Sequence, residues 1–410
     1  MTLLSVEQAR ERILSQFRPV TTETIPLPAC ANRILAVDIT AADDLPHFDN
    51  SSMDGFAVRS VDTINAADAS RVTLRVVADI PAGSHPTISL AAGEAARIMT
   101  GAPVPEGADA VIPVEDTDFN DRSAGTSPPE TVSIAKPIQH HTNIRPRGTD
   151  VRTGDVVLHK GQQITPQSAG ILAMLGHSRV MVYNKPRVAL LSSGDELLEV
   201  DASLESGKIR DSNSYMLAAL IEGTHAEVLR LGIAKDTRAS VENLIEQAVQ
   251  QNADMILSSA GVSVGAFDYV KEVVESNGKL DFWRVNMRPG KPVAFGEYRN
   301  IPFIGLPGNP VSAFVGFEVF VRDAIGRLSG LLNGGRRTVR VRCVEEILSD
   351  GRESYLRAII REEDGAFVAR LTGHQGSGNL FSLVQANALL IIPAGVKCVP
   401  AGQEVSAWLL

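Results

Sequence analysis

Short loops that combine proline, glycine and charge recur along this chain, and they are where its chemistry would lie. In Arg288-Pro289-Gly290-Lys291-Pro292, prolines stiffen a turn on which two cations can face a phosphate or another oxyanion; a solvated surface pair is the plainer alternative. Carboxylates fall in similar places: Glu196 in Ser192-Ser193-Gly194-Asp195-Glu196, Asp236 after Ala234-Lys235, and Asp268 just past Ser258 to Gly265. Oxygen-only donors beside phosphates are what Mg²⁺ prefers, although Asp236 could equally cap the helix that starts there. Upstream, 48–55 (FDNSSMDG) and 98–103 (IMTGAP) crowd polar groups, and 144–150 (IRPRGTD) alternates cations with a carboxylate. Each alone also fits Asx-turn chemistry.

The elements around these loops decide what they can do. Beyond Asn184 the pattern reads strand, glycine-bearing loop, helix, repeated: Arg187 to Leu191, Glu227 to Ile233, Asp254 to Leu257 and Pro302 to Gly305 each run into a polar loop. After Asp236, the apolar set Val241, Leu244, Ile245, Ala248 and Val249 has the spacing of an amphipathic crossover helix. This predicts an open α/β sheet, in which ligands bind outside the carboxyl ends of the strands. An isolated glycine reads as a tight turn, but Gly261, Gly265, Gly290 and Gly308 together let backbone N–H groups cradle an anion. Neither a P-loop nor a dinucleotide fingerprint occurs, so the anion site is of another kind.

Residues from about Thr22 to Val182 carry short β-branched runs between Gly and Pro, with the polar stretch Asp118 to Thr131 expected as an exposed hairpin tip. Past Leu331 to Arg337, the runs Thr338 to Val344, Tyr355 to Arg361, Phe367 to Leu371 and Ala388 to Ile392 predict a small all-β domain. Near the start, Ser5 and Gln8 form a capping-box pattern before Val6, Ala9, Ile13, Leu14 and Phe17.

The 410 residues carry 39 basic and 48 acidic side chains, a net charge of −9, so the chain lacks the basic field that nucleic acid requires. Anionic ligands must be met by local cations. Cys30, Cys343 and Cys398 are isolated thiols, and no His pair has zinc-helix spacing, so sulfur ligands for a soft metal would have to come from a substrate. The charged N-terminal stretch is unlike a signal peptide and no apolar run approaches the ~20 residues of a membrane span. A cytoplasmic location without membrane partners is expected. Gly261-Val262-Ser263-Val264-Gly265 matches a nucleophile elbow, but a hydrolase would leave the Arg/Lys loop and the other carboxylates unexplained.

Together, 48–58 (FDNSSMDGFAV), 98–116 (IMTGAPVPEGADAVIPVED), 144–151 (IRPRGTDV), 192–197 (SSGDEL), 261–269 (GVSVGAFDY), 288–292 (RPGKP) and 305–313 (GLPGNPVSA) closely resemble the molybdopterin molybdenumtransferase family, MoeA, and the gephyrin E domain. The resemblance implies a multidomain α/β plus β protein. Its parts would be an N-terminal helix (1–21) packing on the α/β part, a discontinuous connecting domain (22–44 and 147–182), a β-rich domain (45–146) contributing to the partner subunit's site, a MogA-like open, mostly parallel α/β domain (183–330) and a C-terminal β-barrel (331–410). It also implies a cytosolic homodimer that inserts molybdenum from molybdate into adenylated molybdopterin with release of AMP, using Mg²⁺. Molybdopterin adenylyltransferase and apo-molybdoenzymes would be its further partners.

Carried over by motif, Asp54, Thr100, Glu196 and Asp268 match catalytic positions, with Glu196 and Asp268 the candidate Mg²⁺ contacts and Asp54 orienting or activating the attack. Asp150, Ser193, Asp236, Ser263, Arg288, Lys291, Pro307 and Pro310 match substrate-binding positions, the two cations facing phosphate or molybdate. Three positions depart from the family pattern: Ala260 for a second glycine, Ser193 for a common Thr and Arg288 for a frequent Lys. The resemblance leaves two other readings open: the related adenylyl-transfer step, and a gephyrin-like scaffold that binds a partner's peptide.

Overall fold

A computed structural model describes residues 3–119, 126–259, 267–332 and 334–410. The chain forms two compact units, residues 1–37, 160–173 and 177–410 in the larger and residues 38–159 and 174–176 in the smaller. The segments expected to form one connecting domain are shared between them. Thr22–Pro26 pairs with Arg179–Tyr183 in the larger unit, and Ile39–Thr40 with Val156–Leu158 in the smaller.

The larger unit is built on a seven-stranded sheet in the order Leu3–Leu4, Gly278–Val285, Pro292–Tyr298, Ile301–Leu306, Met255–Ser259, Arg187–Ser193, Glu227–Ala234. The last four are mutually parallel, and Gly278–Val285 and Pro292–Tyr298 extend them as an antiparallel hairpin. Arg187–Ser193 is buried almost throughout because both faces of a parallel sheet are covered. Val188 and Leu190 face a core shared with the Asn213–Glu222 helix and with Val6, Ala9 and Ile13 of the N-terminal helix. Ala189 and Leu191 face the opposite core with the Arg238–Gln250 and Phe267–Ser276 helices. The chain runs from Arg187–Ser193 to a neighbour on one side and then to one on the other, so a topological switch point lies between Arg187–Ser193 and Met255–Ser259.

The Ser5 and Gln8 capping box forms, each backbone N–H donating to the other side chain at 3.1 Å. The crossover helix starts one residue later than expected. Thr237, not Asp236, is its N-cap and accepts from the Ser240 N–H at 3.3 Å, which leaves the Asp236 carboxylate for other contacts. The apolar run Val311 to Val321 becomes a helix whose middle, Phe317–Val321, is a π-helical turn. No described helix is long and apolar enough to cross a membrane.

Thr338–Cys343, Glu353–Glu363, Ala366–Leu371, Ala388–Ile392 and Glu404–Leu409 close into a five-stranded barrel around Val341, Leu356, Ala358, Leu390 and Val405. Met287–Arg288, at the tip of the α/β hairpin, pairs with Glu353 and Ser354 and thereby couples the barrel to the α/β sheet.

The smaller unit holds a five-stranded mixed sheet in the order Ala110–Pro113, Gly55–Val58, Glu94–Ile98, Val72–Ile80, Thr131–Ile134. The tip expected between Asp118 and Thr131 falls partly outside the described residues. The chain flanking it does close back on itself, through an antiparallel bridge between Thr117 and Ile134 and the Asp118 N–H donating to the Ser133 carbonyl at 3.2 Å, while the longer strands on either side pair elsewhere, Ala110–Pro113 with Gly55–Val58 and Thr131–Ile134 with Val72–Ile80.

Candidate functional site

At the carboxyl ends of the parallel strands the larger unit opens a cleft of about 640 Å³. Ser259 ends one strand there, Pro307 to Pro310 follow the next, and Glu196, Asp211, Asn213, Pro292 and Ser312 complete much of the wall, with Gly378 and Leu380 from the barrel region. Gly194 has φ +145°, a backbone conformation that L side chains rarely adopt, so glycine is required at the turn that carries Glu196 onto the strand end. The Asn213 amide donates to the Gly308 carbonyl at 2.7 Å and holds that loop.

Asp236 and Asp195 clasp each other's backbone: the Asp195 N–H donates to Asp236 Oδ2 at 3.3 Å and the Asp236 N–H to Asp195 Oδ1 at 3.1 Å. Asp236 Oδ1 is left buried without a partner among the described residues, as are Ser192 Oγ, Ser193 Oγ and Asn213 Oδ1. These orphaned groups gather at the strand exits around the switch point, and an unsatisfied buried polar group calls for an explanation such as a ligand or an ordered water.

The Arg288 to Pro292 turn borders this cleft through Pro292, and Gly290, at φ +96°, lies where a Cβ would stand 3.5 Å from the Ser312 carbonyl oxygen. Arg288 has only a long contact, 3.8 Å, to Asp350. Beyond it lies Arg357, fully buried, whose Nε donates to Ser382 Oγ and Nη2 to the Gly376 carbonyl, each at 3.0 Å, while Nη1 has no partner among the described residues. Burial, aided by the nearby Arg288 charge, lowers the Arg357 guanidinium to about 10. Arg357 is thus a buried cation with no carboxylate partner among the described residues, and it stands behind the cleft wall rather than on it.

In the smaller unit, the three polar loops picked out by sequence meet. The Ser51 N–H donates to the Ala102 carbonyl at 3.0 Å, and Asn50–Ser51 pairs with Ile144–Arg145. Asp54 Oδ1 accepts from both the backbone N–H and the hydroxyl of Thr100, each at 2.7 Å. Asp150 pairs with Arg145. Gly55 fixes the position of Asp54, since a Cβ there would fall 1.9 Å from the Ile112 carbonyl oxygen. Gly55→Ala is therefore expected to destabilise the smaller unit by about 3 kcal/mol, the upper end for overpacking, and to weaken any function of Asp54. An unchanged urea midpoint would contradict this.

The expected residues thus form two sets. Glu196, Pro307 and Pro310 line the larger unit's cleft, Lys291 and Arg288 lie on the turn beside it, and Ser193 and Asp236 stand at the strand exits behind it. Asp54, Thr100 and Asp150 belong to the smaller unit. Ser263 and the glycine loop around it, with Ala260, lie outside the described residues, as does the side chain of Asp268. Among the described residues no group of three or more His, Cys, Asp or Glu is placed to hold a metal ion. Sequence reasoning missed Asn213 and Arg357; for Asn213 the signal was 211–214 (DSNS), a polar cluster opening an apolar helix. A larger cleft, about 1060 Å³, lies between the N-terminal helix and residues 326–336 and contains none of the expected residues, so the carboxyl-end cleft is the candidate site.

Known proteins resemble this chain along nearly its whole length. Residues 4–176 match the MoeA N-terminal region (domain I and II), 189–327 a probable molybdopterin binding domain and 340–410 the MoeA C-terminal region (domain IV). The chain is 40% identical over 392 residues to a molybdopterin molybdenumtransferase of Nostoc sp. PCC 7120, covering 94% of this chain and 88% of that protein. It is 38% identical to the enzyme of that name from Haemophilus influenzae, covering 98% of both. The crystal structure of the molybdopterin biosynthesis moeA protein from Pyrococcus horikoshii OT3 superposes with a TM-score of 0.84 at 30% identity, covering 100% of both chains.

Proposed function

The chain belongs to the MoeA family of molybdopterin molybdenumtransferases, and from that premise we propose that it acts in molybdenum cofactor biosynthesis, inserting molybdenum from molybdate into adenylated molybdopterin with release of AMP. The observation that carries this reading is the cleft at the carboxyl ends with orphaned polar groups gathered around it. Such a site suits a ligand that brings many hydrogen bonds and several charges.

Both substrates are anions, and a chain of net charge −9 must meet them locally. Arg288 and Lys291, on the turn that borders the cleft, supply that charge, Lys291 without a carboxylate partner among the described residues and Arg288 with only a 3.8 Å contact to Asp350 among them. Pro307 and Pro310 hold the backbone beside them stiff. Cleavage of the phosphoanhydride consumes one water, and Glu196, the exposed carboxylate on the cleft wall where Asp211 is buried, is the group that orients it. Mg²⁺ takes one or two carboxylates and completes its shell with substrate phosphates; Glu196 and the unpaired oxygen of Asp236 suit it, and when bound the ion would act as a Lewis acid on the phosphoanhydride. Asp268 remains a candidate contact from its motif.

The active form under this reading is a cytoplasmic homodimer in which the smaller unit of one copy offers Asp54, Thr100 and Asp150 to the cleft of the other. It receives its substrate from molybdopterin adenylyltransferase and delivers product to apo-molybdoenzymes. Mixing Asp54→Asn and Glu196→Gln subunits after dissociation should then restore about a quarter of wild-type turnover, because half the reassociated dimers are mixed and each holds one intact site. No recovery would sink the shared site. The function itself is tested by giving the purified protein adenylated molybdopterin, Mg²⁺ and molybdate and following AMP and cofactor together. Equimolar, molybdate-dependent formation of both is expected; cofactor without AMP, or neither product, would overturn the proposal.

A further inference from the structure

We infer that Asn213 reads the heterocycle of the bound substrate, its side-chain oxygen accepting a hydrogen bond from an exocyclic amino group. The inference rests on the function proposed above and adds a specificity-determining residue to it.

Asn213 is 8% exposed and stands on the cleft wall at the start of the Asn213–Glu222 helix. Its amide orientation is fixed chemically. Nδ2 donates to the Gly308 carbonyl at 2.7 Å, and the flipped amide would put two acceptor oxygens against each other. Oδ1 must therefore point away from Gly308, and it has no partner among the described residues. A buried amide oxygen left unpaired costs about 1–3 kcal/mol, so a ligand that brings a donor regains that free energy on binding.

The walls beside it decide which donor. Pro292, Pro307, Pro310, Ile209 and Leu380 give flat or apolar surface for a ring, beside polar wall residues such as Glu196, Asp211 and Ser312. A planar heterocycle carrying an N–H donor on its edge fits both requirements. Adenylated molybdopterin has two such groups, the amine of adenine and that of the pterin. No sequence motif used above includes this residue, and the other three orphaned groups at the strand exits, two hydroxyls and a carboxylate, lack an amide's fixed acceptor direction.

The test uses the full-length protein and equilibrium binding of AMP, IMP and molybdopterin to the wild type and to Asn213→Ala. IMP has a carbonyl where AMP has its amine. If the adenine amine is read, the Ala variant loses about tenfold in affinity for AMP, the ordinary worth of one hydrogen bond, and little for IMP. If the pterin amine is read, AMP and IMP are unaffected and molybdopterin affinity falls by the same factor. Asn213→Asp, which keeps an acceptor, should retain the preference that Ala loses. Equal weakening of all three ligands, as expected from mere loss of the clamp on Gly308, or no weakening of any, would overturn the inference. Should the Ala variant not fold, Asn213→Leu removes the acceptor while keeping the volume. A wild type that binds none of the three ligands would instead refute the proposed function, so the two failures are distinguishable.

Discussion

Glu318→Ala is expected to destabilise the larger unit by about 3 kcal/mol, the lower end of the range for breaking a buried ion pair. Glu318 is 3% exposed in the middle of the longest apolar run and receives two forked guanidinium groups, Arg322 at 2.6 and 2.9 Å and Arg336 at 2.8 and 2.9 Å. Removing the carboxylate strands two cations. Their side chains are 13% and 24% exposed and can turn toward water, which keeps the cost near the low end.

The pH dependence has a definite sign. Burial alone would push the Glu318 carboxyl up, but hydrogen bonds from Arg336 and Arg322 hold it below the ordinary glutamate value. A folded value below the unfolded one means that this stabilisation is fully present above the unfolded value of about 4.3 and is lost as the pH falls through the folded one. Urea midpoints measured from neutral pH into the acid range should therefore show wild type and Glu318→Ala converging in acid. Parallel curves down to the acid limit would contradict the role given to Glu318.

Glu196→Gln is expected to leave the urea midpoint within about 0.5 kcal/mol of wild type and to lower molybdate-dependent AMP release by about 10²–10³-fold. Glu196 is exposed on the cleft wall, contributes nothing to a core cluster and has no ion-pair partner among the described residues, so the substitution removes charge and little packing. The amide is nearly isosteric but neither accepts a proton from water nor attracts a cation. Single-turnover AMP release by the two proteins decides the point; wild-type turnover in the variant would remove Glu196 from the reaction.

What could be read from sequence was local. The crossover helix followed from the spacing of Val241, Ile245 and Ala248, and the Arg288 to Pro292 turn from its own prolines and glycine. The three upstream loops were each recognisable as polar turns, though one by one nothing showed that they meet. Arg357 was illegible because it alternates with Leu356 and Ala358 along a strand, which reads as a solvent-facing position. It is buried only because residues 376–382, some twenty positions away, fold across it. Glu318 read as an interruption of an apolar run, since its second partner Arg336 lies a further turn and loop away. The closing barrel strand Glu404–Leu409 was missed although it is as long as Thr338–Cys343, because its pairing with that strand spans most of the domain and leaves no local signal.

The claim on which the account turns is that the carboxyl-end cleft of the α/β sheet grips the adenylated pterin. Hydrogen–deuterium exchange of the full-length protein, with and without saturating adenylated molybdopterin and in the absence of molybdate, reads this directly. Slowed exchange concentrated in residues 194–213, 307–313 and 376–382 is the predicted result. Binding accompanied by protection in the cleft between Arg10 and Arg336, with those three segments unchanged, would contradict it.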